Sequence, residues 1–361
     1  MVLSHLTLAA LASSAMANLS ITEARSFTTQ SHGQFDTALV TASDGRRFLV
    51  RAPSTSAAAA ELKADFLALR ILSAGIRSRL PFDAPTMLGE ASLSDSESHP
   101  SPVAIYDFLD GSTLDPRRME NEPELAHSIA RALNAIHNLP TSFVTDAGLP
   151  LRSALDSKNS AAAVIEKAAN TGYLPAALTT RWTNATEDTA LWRFEPVIVN
   201  GSLTTDSFLV TGESISGVLG WAALRVGDPA QDMHWLVNAN ADAVFAEYAR
   251  ARRGSSDPLL RQRASLYSEL EIARWLLHGI DIRDDAIIND AVLMLDRLVD
   301  GVHSDRMESL SQKTGPVLDV SDVEELLSET PGDRKPLARA AYYTGFESPT
   351  DDHNNKSSSS E

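Results

Sequence analysis

The chain has 361 residues, 43% of them hydrophobic, enough for two modest lobes with real cores. Its formal charge of −17 repels phosphate backbones and anionic lipid surfaces, so nucleic acid and membrane are poor partners. There is no cysteine, which excludes disulfide scaffolds, thiolate metal sites and cysteine nucleophiles and fits a reducing, cytoplasmic setting.

Residues 1–18 hold an apolar stretch from Leu6 to Leu11, followed by Ala15-Met16-Ala17. Two readings stand. A secretory leader needs a basic start and a longer apolar run, and the first basic residue is Arg25. An Ala/Leu-rich helix packed on the first lobe needs neither. No stretch has the length to span a bilayer.

Residues 19–110 read as a β-rich lobe. A strand at 21–29 is followed by a loop containing Gly33. Strands around 37–40 and 48–51 flank Asp44-Gly45, a two-residue hairpin signal, and Pro53 ends the second strand. Residues 57–72 carry good helix formers and an apolar stripe at Leu62, Phe66, Leu69 and Leu72. A Ser/Pro/acidic loop at 92–102 leads to a short apolar strand at 103–108, stopped by Asp110-Gly111.

Residues 111–302 read as mainly helical. Leu125, Ile129, Leu133 and Ile136 share one helical face, closed by Asn138-Leu139-Pro140. Residues 197–199 form a strand fragment, and 208–210 and 215–219 form a hairpin around Gly212-Glu213-Ser214. Beyond Asp228-Pro229 the chain is helical again. Leu266, Leu270, Ala273 and Leu277 share a face, as do Ile288, Val292, Leu295 and Val299. From residue 303 acidic residues dominate; 320–327 reads as one short acidic helix and 351–361 as low-complexity, disordered chain. This tail, 303–361, is a candidate surface for a protein partner.

Five segments stand in a fixed order: Arg51-Ala-Pro53; Val103-Ala-Ile-Tyr-Asp-Phe-Leu-Asp-Gly111; Ile129-Ala-Arg-Ala-Leu-Asn-Ala-Ile-His137; Val199-Asn-Gly-Ser-Leu-Thr-Thr-Asp-Ser-Phe-Leu-Val210; and Gly217-Val-Leu-Gly-Trp-Ala-Ala-Leu-Arg-Val-Gly-Asp-Pro-Ala-Gln-Asp232. Each is short, but together they resemble the aminoglycoside/macrolide phosphotransferase family over about residues 19–300. The resemblance implies an α+β, protein-kinase-like two-lobe fold, with a small N-terminal antiparallel sheet lobe and a larger, mainly helical C-terminal lobe. It also implies ATP or GTP with magnesium in the interlobe cleft, and phosphoryl transfer to a small-molecule hydroxyl.

The residues that should perform that transfer are replaced. The family loop His-Gly-Asp-Leu-x-x-x-Asn has Asn200 for its His, Ser202 for its catalytic Asp and Ser207 for its metal-binding Asn. The family's (Ile/Leu)-Asp-Trp, whose Asp binds magnesium, reads Leu219-Gly220-Trp221. A serine hydroxyl has no useful basicity near neutral pH, and loss of a general base costs about 10²- to 10⁴-fold. Magnesium favours carboxylate and phosphate oxygens, so its binding should be weakened. The framework residues Gly201, Leu203, Trp221, Gly227, Asp228 and Pro229 remain. Asp206 is the candidate substitute base or ligand; the plainer alternative is a solvated turn aspartate.

On the nucleotide side, the resemblance places Gly33 in the phosphate loop and Arg51 against the phosphates. Asp65, ahead of Glu61, is the helix acid that would pair with Arg51, against an ordinary surface charge pair. Tyr106, Asp107, Phe108 and Leu109 would line the base slot through backbone groups. His137 reads as a structural cap and Asp228 as a backbone brace. The acceptor surface falls at about 141–195, without legible chemistry. The expected protein is a catalytically impaired member of the family with a binding or regulatory role. The alternatives are an active phosphotransferase with non-standard residues, and an interaction protein acting through its tail.

Overall fold

The computed structural model describes residues 3–16, 19–27, 34–93, 101–239, 241–252, 257–304 and 307–311. The chain divides into two units, 1–313 and 314–361; the second lies outside the described residues, as do Gly33 and the helix expected at 320–327. No helix among the described residues is long and apolar enough to cross a membrane.

Helix α1 (His5–Ala15) begins where the Ser4 side chain accepts a hydrogen bond from the Thr7 amide. Its Leu8, Ala9 and Ala12 are buried in one cluster with Val40, Phe48, Val50, Val103 and Ile105 of a sheet. The sheet is antiparallel, in the order β1 (Ile21–Ser26), β2 (Phe35–Ala42), β3 (Arg47–Pro53), β5 (Ser101–Asp107), β4 (Met87–Leu93). Strand alternation sends Phe48, Val50 and Ala52 of β3 toward α1 and leaves Arg51 on the opposite face.

The β2–β3 loop corrects the two-residue expectation. The Gly45 amide donates to the Ala42 carbonyl, while the Ala42 amide donates to the Arg46 carbonyl, so three residues turn the chain. Gly45 takes φ +84°, the left-handed position that follows a tight turn in such loops. The Asp44 carboxylate accepts from the Arg46 amide and holds the turn.

Helix α2 (Ser56–Ile71), capped by Thr55, buries Leu62, Phe66 and Leu69. These side chains do not join the α1 cluster. They belong to the large core that continues through the rest of the described chain. After α3 (Ala74–Arg77), the Asp83 backbone pairs with Ser216 and Val218, which seams the two lobes beside the β4–β5 edge.

Beyond β6 (Ser112–Thr113) come α4 (Arg118–Asn121) and α5 (Pro123–His137), whose Leu125, Ile129, Leu133 and Ile136 are fully buried. Helices α6 (Ser142–Asp146), α7 (Ala154–Asn170) and α8 (Ala176–Glu187) fill the stretch that sequence left blank. Strand β7 (Val197–Val199) pairs antiparallel with β10 (Arg225–Gly227), and β8 (Phe208–Thr211) with β9 (Ser214–Val218) form the expected hairpin. Helices α9 (His234–Val237), α10 (Asp242–Ala251), α11 (Leu260–Ile282) and α12 (Asp285–His303) complete the lobe. The buried Glu269 of α11 accepts from Trp182 and Arg181 at 2.7 and 2.8 Å, stapling α8 to α11.

Leu8→Ala should cost about 2–5 kcal/mol by urea denaturation, because it opens a cavity between α1 and the sheet. Leu6→Ala, at a side chain that is 66% exposed, should change stability by less than about 0.5 kcal/mol.

Candidate functional site

The loop between β7 and β8 takes its shape from a buried carboxylate that sequence reasoning passed over. Asp232, fully buried, ends a short 3₁₀ turn, Pro229–Asp232. Its oxygens accept from the Asn200 amide at 2.8 Å and the Gly201 amide at 2.6 Å. His137 closes behind it, with Nε2 at 3.2 Å from Asp232 and Nδ1 at 2.6 Å from the Tyr248 hydroxyl. Thus α5, α10 and the turn hold one stretch of backbone. The available signal was Gly227-Asp-Pro-Ala-Gln-Asp232, where a second acid closes a Pro-started turn.

Asn200 joins the loop to the segment after β9. Its side-chain amide donates to the Gly220 carbonyl at 2.8 Å, and its oxygen accepts from the Ser202 amide and hydroxyl. At the far end of the loop, the Leu219 amide donates to the Ser207 carbonyl at 2.8 Å. These bonds gather Ser202, Ser207 and Gly220 around one loop. Ser202 is exposed; the Ser207 hydroxyl is taken by the Thr204 amide at 3.1 Å. Gly220 has φ +70° and open space where a side chain would stand. Asp206 lies exposed in the turn Thr205–Ser207 and makes no hydrogen bond or ion pair among the described residues.

Gly201 has φ +87°, and a Cβ there would lie 2.0 Å from the Arg225 guanidinium. Arg225 donates to the Ala223 carbonyl at 2.7 Å, to Gln231 at 2.5 Å and, longer, to the Gly201 carbonyl. Asp228 braces the backbone below: it accepts from the Ala230 amide, from the fully buried Arg263 at 2.8 and 3.1 Å, and from the Tyr267 hydroxyl at 2.9 Å. Arg263 had no sequence signal, since its partner Asp228 lies 35 residues away.

On the sheet side, the expected Arg51–Asp65 ion pair is absent among the described residues. Asp65 instead accepts from the Trp221 amide at 2.8 Å and the Tyr106 hydroxyl at 2.9 Å. Both oxygens are satisfied by donors buried beside them, so the carboxylate needs no cation. Arg51, half-buried, lies 4.0 Å from the Phe35 ring centre, and its buried Nε has no partner. Burial raises the Asp65 carboxyl above its ordinary value, opposed by the Trp221 and Tyr106 hydrogen bonds and the Arg51 charge. Burial and the neighbouring Asp65 push the Tyr106 hydroxyl well up.

Of the four residues expected to offer backbone to a base, two are committed elsewhere. The Asp107 amide donates to Thr86 and the Phe108 amide to Arg47. The Phe108 ring lies under the Arg47 guanidinium at 4.6 Å and meets the edge of Phe27. Tyr106 lies within the sheet, opposite Leu49 and Met87, and the Leu109 amide has no partner among the described residues. No three His, Asp or Glu side chains gather to hold a metal ion among the described residues. Ser207 is engaged and Gly220 bare, so neither position supplies the carboxylate oxygen that magnesium favours.

Asp232→Ala strands two buried amides and His137, and should cost about 3 kcal/mol or more in urea unfolding. Asp206→Ala should change stability by under about 0.5 kcal/mol. A third expectation concerns pH. With its folded value raised above 3.8, Asp65 keeps a proton that the unfolded chain has released, so wild-type stability falls as pH rises through that window. Asp65→Asn lacks this slope. The wild type should therefore hold a larger advantage over the variant at about pH 4 than at about pH 7, read from urea midpoints.

A family model described as the phosphotransferase enzyme family matches residues 30–266. Among solved structures, a GDP complex of an aminoglycoside 2'-phosphotransferase variant aligns with TM-score 0.69 at 18% identity, covering 83% of this chain and 99% of that one. A GDP and kanamycin complex of a related aminoglycoside phosphotransferase gives 0.67 at 19%, covering 81% and 98%. A macrolide 2'-phosphotransferase from Brachybacterium faecium gives 0.63 at 19%, covering 77% and 94%. At such identities these likenesses establish the kinase-like fold. Among curated proteins, none matches the chain. The family match spans well over half of the sequence and includes the loop from Asn200 to Gly220, so the chain belongs to the APH phosphotransferase enzyme family.

Proposed function

We propose that this member of the family is catalytically impaired and acts by binding or regulation, holding a nucleotide or metabolite between its lobes. The observation that carries the reading is the state of the loop. Its backbone is fully braced, through Asp232, Asn200 and Asp228, while positions 202, 207 and 220 offer two hydroxyls and a glycine. A hydroxyl at 202 cannot take a proton from an acceptor alcohol near neutral pH. The Ser207 hydroxyl already serves the loop. No step through magnesium follows from these residues.

Retention of an anionic ligand on the sheet side is supported by Arg51. Stacking on Phe35 fixes its guanidinium, and no carboxylate among the described residues neutralises it in an ion pair. The Leu109 amide, without a partner among the described residues, is the hinge donor offered to a base. A cytoplasmic setting is part of the same reading. A partner-recruiting role for the acidic tail has no structural observation behind it.

A second reading has one observation in its favour. Asp206 is an exposed carboxylate without a partner among the described residues, adjacent to Ser207 in the same turn. It would make the protein an active phosphotransferase with a relocated base.

The test compares ATP and GTP turnover, and thermal shifts with and without magnesium, in three proteins. Wild type and Asp206→Ala should both stay at background turnover. Ser202→Asp/Ser207→Asn/Gly220→Asp should gain a magnesium-dependent thermal shift. Aspartate tolerates the left-handed backbone at 220, and there is space for it. Wild-type turnover that disappears in Asp206→Ala would reject the impaired reading in favour of the second.

A further inference from the structure

Beside the altered loop opens a cavity of about 470 Å³, within the range of small-molecule sites. One wall is the segment that follows Gly220, from Ala222 to Arg225; others come from α2, from the chain just before α7, and from α11. Its charged lining consists of Arg152, Arg225 and Arg274, and no Asp or Glu lines it among the described residues. Ser160 and Gln231 add neutral polar groups, and Leu149 and Leu67 supply apolar surface.

This is a local inversion of sign in a chain with 48 acidic and 31 basic residues. Two acids that act on these arginines, Asp232 and Asp156, are held by other groups, and a third, Glu271, pairs with Arg274 outside the cavity lining. Asp232 holds the loop amides, and Asp156 caps α7 through Ser153. Glu271 pairs with Arg274 at the surface. Arg152 reaches a hydroxyl, that of Ser160, at 3.2 Å. Burial lowers the Arg225 guanidinium from its ordinary value, with Asp232 opposing and Arg152 and Arg274 both adding to the fall. A guanidinium stays charged through such shifts. Three like charges around one cavity repel one another and attract a shared counter-charge. Their planar forks match the oxygens of carboxylates and phosphates.

We infer that this cavity binds a small molecule bearing phosphate or carboxylate groups, so that the ligand beside the Asn200–Gly220 loop is an anion rather than a polycation. A polyamine would meet three guanidinium groups and no carboxylate. The inference deepens the binding reading above by naming a ligand class, but it stands on the cavity and not on nucleotide affinity.

The test is isothermal titration of the full chain with inorganic pyrophosphate and with kanamycin as polycation, at constant ionic strength without magnesium. Wild type should bind pyrophosphate saturably and give no heat with kanamycin. Arg152→Gln/Arg274→Gln should weaken pyrophosphate about 10-fold or more, since it removes two charge-assisted contacts. Arg46→Gln, at the exposed β2–β3 turn, should leave the affinity unchanged, and Arg51→Gln reports any binding on the sheet side. Both altered arginines reach the surface, outside the loop's brace, and the exposed Arg152→Gln alone serves if the double variant misfolds. No pyrophosphate binding, undiminished binding in the arginine variants, or kanamycin binding would each overturn the inference. Binding lost only in Arg51→Gln would overturn it while leaving the nucleotide reading intact.

Discussion

The Asp232 carboxylate is the constraint on which the rest of the site depends. It lies fully out of water, and removing a charge from water is costly unless donors surround it. Two backbone amides and a histidine supply those donors. The amides belong to Asn200 and Gly201, so the loop cannot relax without exposing the acid. Its shape is therefore set from below, by groups that never face a ligand. That separation leaves the loop's path independent of the side chains it presents at 202, 207 and 220.

Asp65 performs a matching task between the lobes. By accepting from the Tyr106 hydroxyl of β5, it ties α2 to its own sheet. By accepting from the Trp221 amide, it ties α2 to the residue next to Gly220. Phe82 stacks near Trp221, and Asp83 pairs with β9, so the same seam is closed by packing and by backbone bonds. The orientation of α2 and the position of the loop that ends at Gly220 are thus one variable.

Much of the fold was legible in the sequence because its signals are local. The β2–β3 hairpin, α2, α5 and the long helices α11 and α12 show their periods within a few turns. Helices α7 and α8 hide theirs: α7 buries mainly small residues such as Ala161 and Ala168, and α8 surrounds Leu178, Trp182 and Ala185 with Thr and Asn. Strand β4 is an edge strand interrupted by Gly89 and Glu90, so it lacks a buried run. The site was legible only as a set of positions. Apart from the Ala230 amide at Asp228, the partners of Asp65, Asp232 and Asp228 come from 31 to 156 residues away, and no spacing rule reports them. Likewise Arg152, Arg225 and Arg274 are scattered along the chain, and bulk charge points to the opposite kind of ligand.

Gly201 carries one more consequence. The guanidinium of Arg225 occupies the volume that a Cβ at 201 would claim. The glycine is thus more than a flexible link, since its bareness gives a cation a seat against the main chain. Any side chain at 201 would evict that charge and shift the local potential without adding or removing an ionisable group. A substitution between two neutral residues would then behave, at this one position, as an electrostatic change.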